Sequence, residues 1–185
     1  ACQSLHQLGL PISEEKVRQA IGTTQWPGRL ELLTDSPGLL LDGAHNAHAA
    51  QSLGRALGHL FPDRRKTLVL GTMAEKQVDD VLAALLPHAS AVLCTAPASS
   101  RTPPLSPEQL AHRVDRVARR LGLDSIAIDV QESGWQAVEQ ALAAAGPTDV
   151  VCVCGSLYLV GEVRGAWERK HGTSGLQEET ASSVP

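Results

Sequence analysis

Polar side chains recur directly after predicted strands in this chain of 185 residues. Asp42 and His45 follow one apolar run, and Ser156 follows a glycine after the last one. Arg29 follows a Trp-Pro-Gly turn, and a loop that contains Arg101 follows another apolar run. In open α/β sheets, ligands bind beyond the carboxyl ends of the strands, where helix starts offer free N–H groups. These segments therefore predict a site for a phosphate or carboxylate ligand.

The usual phosphate-binding loops are absent from the sequence. Neither G-x-G-x-x-G nor G-x-x-x-x-G-K-[ST] occurs, so neither a complete dinucleotide site nor a P-loop is predicted. Gly71 and Lys76 have part of the P-loop spacing, but the second glycine is missing. A nucleotide site built from these residues alone would be incomplete.

Short apolar runs that alternate with amphipathic helices must position these residues. We expect strands at 30–33, 38–41, 67–70, 91–95, 125–129 and 149–153, and helices at 14–21, 47–60, 75–86, 107–121, 134–145 and 156–170. The first two strands are joined by a tight turn, which makes them antiparallel, whereas strands separated by helices are parallel. The predicted fold is a three-layer, Rossmann-like α/β domain: a mixed, mostly parallel six-stranded sheet with helices on both faces.

Composition disfavours several classes of function. A net charge of -4 argues against broad binding of nucleic acid or anionic membranes, and 3% aromatic residues argue against base stacking. No apolar run approaches the roughly 20 residues that span a bilayer, and the first residues do not resemble a signal peptide. Cys94, Cys152 and Cys154 lie in strand-like apolar runs, which predicts buried free thiols and a cytoplasmic location.

The two ends of the chain do not follow the strand–helix pattern of the middle. Residues 1–9 have the pattern of a helix end, and Ser13 is placed to cap a short helix that Gly22 would end. We interpret 1–25 as the tail of an upstream domain with a linker, 26–170 as the domain itself, and 171–185 as a polar, flexible tail. We expect all three tryptophans, Trp26, Trp135 and Trp167, in the core or an interface. For Trp26, a place near the ligand is the alternative.

Four motifs occur in order between residues 25 and 170: WPGRLE at 26–31, LDGAHN at 41–46, GTMAEK at 71–76 and GSLYLVGEVR at 155–164. Together they resemble the folylpolyglutamate synthase/dihydrofolate synthase family, which belongs to the wider Mur ligase superfamily. The resemblance is to the C-terminal domain of those enzymes. One departure is Ala47, where the family often has proline; this change removes no reactive group.

The resemblance implies an ATP-dependent ligase. Such an enzyme phosphorylates a carboxylate of a pteroate or folate with Mg-ATP, and the amine of L-glutamate then attacks the acyl phosphate. The P-loop, the Mg²⁺ ligands and most of the folate site would lie in an upstream domain. This chain would contribute ATP and glutamate contacts when the domains close, would be inactive alone, and would act in a monomer.

The resemblance also implies residue roles, each with a simpler alternative. Arg29 and Asp42 resemble the family's ATP-binding residues; otherwise Arg29 is a surface arginine and Asp42 a helix N-cap. His45 is the catalytic candidate, beside phosphate or the incoming glutamate, and otherwise only caps or packs. Ser156 and Lys76 would bind the glutamate carboxylate; otherwise Ser156 is an N-cap and Lys76 a solvated lysine. Two rival functions stay open: another Mur-type amino-acid ligase, and a non-catalytic regulatory module.

Overall fold

The computed structural model describes residues 9, 13–24, 26–74 and 77–172. Residues 1–8 of the predicted helix end over 1–9, the candidate Lys76 and the tail from residue 173 onward lie outside the described residues.

The described residues form helices that alternate with strands along most of the chain. The helices are α1 (Glu14–Thr23), α2 (Ala47–Leu60), α3 (Val78–Leu85), α4 (Pro107–Arg120), α5 (Gly134–Ala144) and α6 (Leu157–His171), with a 3-10 turn at Leu86–His88. The strands are β1 (Glu31–Asp35), β2 (Gly38–Leu41), β3 (Lys66–Leu70), β4 (Ala91–Ala96), β5 (Ala127–Ser133) and β6 (Val150–Cys154). None of these helices is long and apolar enough to cross a membrane.

The strands form one six-stranded sheet in the order β1-β2-β6-β3-β4-β5. β1 pairs with β2 in the antiparallel direction, and every other pair is parallel. β2, β6, β3, β4 and β5 therefore end on the same side. We call this side the carboxyl edge; it begins at Asp42, Gly71, Pro97, Gly134 and Gly155. The predicted mixed sheet is confirmed.

Helices cover both faces of the sheet, as predicted. One core packs α2, α3 and α4 on the sheet through residues such as Leu57, Leu82 and Val114. The second packs α5 and α6 on the opposite face through residues such as Val138 and Val163. β6 contributes to both cores because successive side chains of a strand point to opposite faces: Val150, Cys152 and Cys154 enter the first, and Val151 and Val153 the second. Like Cys94, these two cysteines are buried free thiols, which confirms their predicted packing.

Serine side chains cap several helices, and at Ser13 this confirms the prediction. The Ser13 hydroxyl accepts the N–H of Lys16 at 3.2 Å. Ser106 and Gln109 form a reciprocal capping box at the start of α4. At α5, Ser133 accepts the N–H of Gln136 at 3.5 Å, without a reciprocal bond from the Gln136 side chain.

Four elements depart from their predicted bounds by more than one residue. β5 lies at Ala127–Ser133 rather than 125–129; it is an edge strand with no buried side chain, so it needs no continuous apolar run. β1 starts after Leu30, whose φ of 43° is left-handed and unsuited to a strand. α1 continues past Gly22 to Thr23, so the predicted glycine cap is wrong; the Thr24 hydroxyl instead donates to the carbonyl oxygen of Ala20 at 2.6 Å. α3 begins only at Val78 and gives way to the 3-10 turn after Leu85.

Candidate functional site

A tight turn presents Arg29 at the carboxyl edge. The N–H of Arg29 donates to the carbonyl oxygen of Trp26 at 3.0 Å, and Gly28 has a φ of 71°, which glycine adopts without strain. The N–H of Gly28 donates to the Glu31 carboxylate at 2.7 Å. The Arg29 side chain is exposed, which leaves its guanidinium accessible to a ligand. Trp26 is 71% exposed, so it lies outside the core.

An ion pair fixes the base of this turn. Arg164 of α6 donates to Glu31 at 3.0 Å and also bonds Glu168. Burial acts to lower the pKa of Arg164, but the hydrogen bond and the negative charge of Glu31 outweigh it and raise this pKa. Arg164 therefore stays charged, and Glu31 keeps the partner that orients it toward the turn.

Asp42, at the end of β2, forms a hydrogen bond with the same turn. Its carboxylate accepts the N–H of Leu30 at 2.9 Å and the N–H of Ala44 at 2.8 Å. It does not cap α2, as the simpler alternative held, because Asn46 accepts the N–H of Ala49 in that position. Asp42 is only 8% exposed. A carboxylate has about four acceptor sites, so a ligand hydroxyl can still be bound beside the two backbone donors.

Gly43 lets the arginine lie close to the start of α6. A Cβ on Gly43 would stand 2.2 Å from Leu157 Cδ2 and 2.7 Å from Arg29 Nη1. The N–H of Gly43 donates to the carbonyl oxygen of Gly28 at 2.8 Å. The side chains of Arg29 and Leu157 therefore both lie against Gly43 at the carboxyl edge, although the two residues are near opposite ends of the domain.

His45 is exposed, and one of its ring nitrogens has a backbone partner. Its Nδ1 lies 2.8 Å from the carbonyl oxygen of Gly43. Because a carbonyl oxygen only accepts, we assign the proton to Nδ1. In the neutral ring, Nε2 can then accept a hydrogen bond, and in the protonated ring it can donate one.

Ser156 is the N-cap of α6, so its simpler alternative is confirmed. Its hydroxyl oxygen accepts the N–H of Tyr158 at 3.1 Å, and the side chain is 3% exposed. The preceding Gly155 has a φ of 95°, and a Cβ there would lie 2.7 Å from the carbonyl oxygen of Gly71. The N–H of Gly155 donates to the carbonyl oxygen of Ala44 at 2.9 Å. Capping leaves the hydroxyl hydrogen of Ser156 free to donate to a ligand.

A cleft of about 250 Å³ opens at the carboxyl edge beside these groups. His45 and Ser156 line it. Asp42, which follows β2, and Arg29, which precedes β1, are not among its lining residues, but Arg29 and the lining residue Leu157 both lie against Gly43, next to Asp42. The predicted residues that the structure describes therefore gather in one region. The other residues that line the cleft are Thr72, Met73, Arg101, Thr102, Gly155, Leu157 and Tyr158.

The described part of the cleft lining has basic and no acidic side chains. Arg101 and His45 belong to it, and among the described residues no aspartate or glutamate does. Within the described ranges, no group of three or more His, Cys, Asp or Glu side chains is arranged to hold a metal ion. The cleft suits an anion, and these residues do not fit a Mg²⁺ site. Sequence reasoning noted Arg101 only as part of a loop, because nothing local showed that this loop returns to Ser156.

A comparison with protein families matches residues 28–157 to "Mur ligase, glutamate ligase domain". A probable bifunctional folylpolyglutamate synthase/dihydropteroate synthase of Haloferax volcanii is 34% identical over 158 residues, which are 85% of this chain and 18% of that protein. The dihydrofolate synthase/folylpolyglutamate synthase of Escherichia coli K12 is 31% identical over 88% of this chain and 36% of that protein. The chain thus spans well under half of these curated relatives.

Solved structures share the fold. E. coli FolC in complex with DHPP and ADP matches with a TM-score of 0.77 and 28% identity, over 91% of this chain and 38% of that one. The bifunctional folylpolyglutamate synthase/dihydrofolate synthase of Yersinia pestis, complexed with AMPPNP and Mn ion, matches with a TM-score of 0.74 and 30% identity. That match covers 89% of this chain and 37% of the Yersinia chain.

Proposed function

Because this chain belongs to the family of Mur ligase glutamate ligase domains, we propose that it is the C-terminal part of an ATP-dependent folate:glutamate ligase. The longer protein would join L-glutamate to a folate or dihydropteroate carboxylate. One observation carries the proposal: His45 and Ser156 line an anion-suited cleft at the carboxyl edge, and Arg29 and Asp42 lie beside it.

The proposed reaction passes through anions at each stage. ATP transfers its terminal phosphoryl group to the folate carboxylate and leaves as ADP. The amine of L-glutamate then attacks the acyl carbon, loses a proton, and expels phosphate as the amide forms. Positive groups aimed at the charge that develops are usually the largest contribution of a protein to such a step. Arg29 is exposed and held by its turn, so it can meet the phosphates of a nucleotide presented by another domain.

The other residues take roles that their contacts permit. Asp42 can accept a ribose hydroxyl with its remaining lone pairs while it holds the Arg29 turn. His45 Nε2 can bond phosphate when protonated or the amine of glutamate when neutral. The Ser156 hydroxyl and the start of α6 suit a glutamate carboxylate. A similar role for Lys76, and the cytoplasmic location and monomeric state, stay predictions.

The metal would be held outside the described residues. The Yersinia relative's structure contains Mn ion, so a divalent cation accompanies nucleotide there. We propose that Mg²⁺ serves here and that its ligands belong to the longer protein. When bound, the ion would neutralise phosphate charge; the residues of this chain act on the substrates.

A substrate screen with the full-length protein tests the proposal. Phosphate release and product mass would be measured with Mg-ATP, L-glutamate and either dihydropteroate, tetrahydrofolate or a cell-wall precursor. We expect turnover with a pteroate or folate and a product heavier by one glutamyl residue. Turnover only with the wall precursor would make the protein another Mur-type ligase. No turnover with any acceptor would favour the regulatory alternative.

A further inference from the structure

We propose that Arg101 binds the second carboxylate of the incoming L-glutamate, and that Glu162 positions the loop that carries Arg101. This inference rests on the proposed ligase function and adds the residue that selects the amino acid. Arg101 touches the substrate in this account, whereas Glu162 acts only through the loop.

The position of Arg101 is the first support. Its exposed side chain lines the cleft together with Ser156 and His45. Among the described residues, no carboxylate lies within 4.0 Å of its guanidinium. The same is true of Arg29, Arg55, Arg65, Arg120 and Arg169, but of these arginines Arg101 is the one that lines the cleft. An exposed guanidinium in a cleft whose described lining holds no acidic residue can make a forked bond to a carboxylate.

The anchoring of the loop is the second support. Glu162 of α6 accepts both the N–H of Ser99 at 2.9 Å and its hydroxyl at 3.3 Å. On the far side of Arg101, the carbonyl oxygen of Pro103 accepts the N–H of Ala74 at 3.3 Å. Both flanks of the arginine are therefore fixed, in a loop that would otherwise be free to move.

The same helix holds both sides of the cleft. Ser156 caps the first turn of α6, and Glu162 lies six residues along it. A helix is rigid over this length, so the distance between the Ser156 side and the Arg101 side is set by α6. A fixed spacing of this kind favours a ligand whose two carboxylates are separated by a matching distance.

The size and chemistry of the cleft point to a dicarboxylic amino acid. At about 250 Å³, it lies below the roughly 300–1,000 Å³ of sites for drug-sized ligands, so it fits an amino acid better than a whole nucleotide. L-glutamate has two carboxylates: one can bind at Ser156 and the helix start, and the other at Arg101. L-glutamine lacks the second charge and would leave the guanidinium without its partner, which disfavours it.

Steady-state kinetics of the full-length protein test this assignment. In Arg101→Ala we expect KM for L-glutamate to rise about 10- to 100-fold, the factor that one charge-assisted hydrogen bond is worth. The kcat should stay within about twofold and KM for ATP should not change, since removing an interaction that stabilises the ground and transition states equally raises only KM. Preference for L-glutamate over L-glutamine should fall by the same factor. Arg120→Ala, an exposed arginine at the end of α4, is the matched control.

Two further variants separate positioning from general structure. Glu162→Ala removes the acceptor for Ser99 and should raise KM for L-glutamate, while Glu162→Gln keeps an oxygen that can accept the same N–H and should restore it. An unchanged KM for L-glutamate in Arg101→Ala would overturn the proposal. So would a rise in KM for ATP alone, which would assign Arg101 to phosphate. Absence of glutamate-dependent turnover in the unaltered protein would instead count against the ligase function itself.

Discussion

Replacement of Asp42 by alanine should destabilise the domain as well as impair any ligase activity. The carboxylate accepts two backbone N–H groups, from Leu30 and Ala44, and alanine leaves both without an acceptor. Leu30 is 43% exposed, so its N–H can be hydrated, but Ala44 is fully buried and its N–H cannot. An unsatisfied buried donor costs roughly 1–3 kcal/mol, and a hydrogen bond to a charged group contributes about 1.5–3 kcal/mol. We therefore expect a loss of about 3 kcal/mol.

Urea unfolding followed by circular dichroism measures this loss. Asp35→Ala is the matched control, because Asp35 is exposed and its ion pair with Arg64 is a surface pair, so its loss should cost less than about 1 kcal/mol. In the full-length protein, Asp42→Ala also frees the turn of Arg29, and we expect activity to fall on the order of a hundredfold.

The two measurements together can refute the reasoning. Unchanged stability with lost activity would mean that Asp42 acts on the ligand alone and that the turn is held by other contacts. Lost stability with retained activity would remove Asp42 and the turn from the site. Unchanged stability and activity would contradict both the structural and the functional role.

Three more perturbations follow from the contacts. Gly155→Ala forces a residue with a Cβ to a φ of 95° against a backbone oxygen at 2.7 Å, and should lower the unfolding free energy by about 2–3 kcal/mol in urea titrations. A Cβ in Gly43→Ala would meet side-chain atoms of Leu157 and Arg29 rather than backbone, so this change should cost less than Gly155→Ala in the same titration but reduce kcat/KM by displacing Arg29. Burial, with a smaller contribution from Asp129, raises the pKa of Cys94 from 9.0 to about 12. The stability from its neutral thiol is full below pH 9 and is lost as pH rises toward 12, at about 1.4 kcal/mol per pH unit; Cys94→Ala should flatten that decline in urea midpoints measured from pH 8 to 11.

Elements with a periodic apolar face could be predicted closely from the sequence. α2 has its predicted bounds because Ala50, Leu53 and Leu57 form one buried stripe. β2 and β6 were found within a residue because they are buried on both faces and read as continuous apolar runs. β5 was misplaced because its edge position leaves its side chains polar and partly exposed, a pattern that also occurs in loops.

Site residues that directly follow strands could be predicted from the sequence. Contacts between segments far apart in the chain could not. Asp42, His45 and Ser156 could be selected because parallel strands deliver their ends to one edge. The use of the Asp42 carboxylate by backbone donors was not visible, since it depends on the left-handed Leu30 bringing its N–H back across the edge. Arg101 was missed as a lining residue because its loop is held by a contact 63 residues away in the chain.

A crystal structure of the full-length protein with a non-hydrolysable ATP analogue and L-glutamate tests the central claim most directly. That claim is that the carboxyl edge of this domain meets the nucleotide phosphates and the amino acid. We predict phosphate oxygens within hydrogen-bond distance of the Arg29 guanidinium and a glutamate carboxylate in the cleft beside Ser156. Nucleotide and glutamate bound on other surfaces, with both residues facing only solvent, would contradict the account.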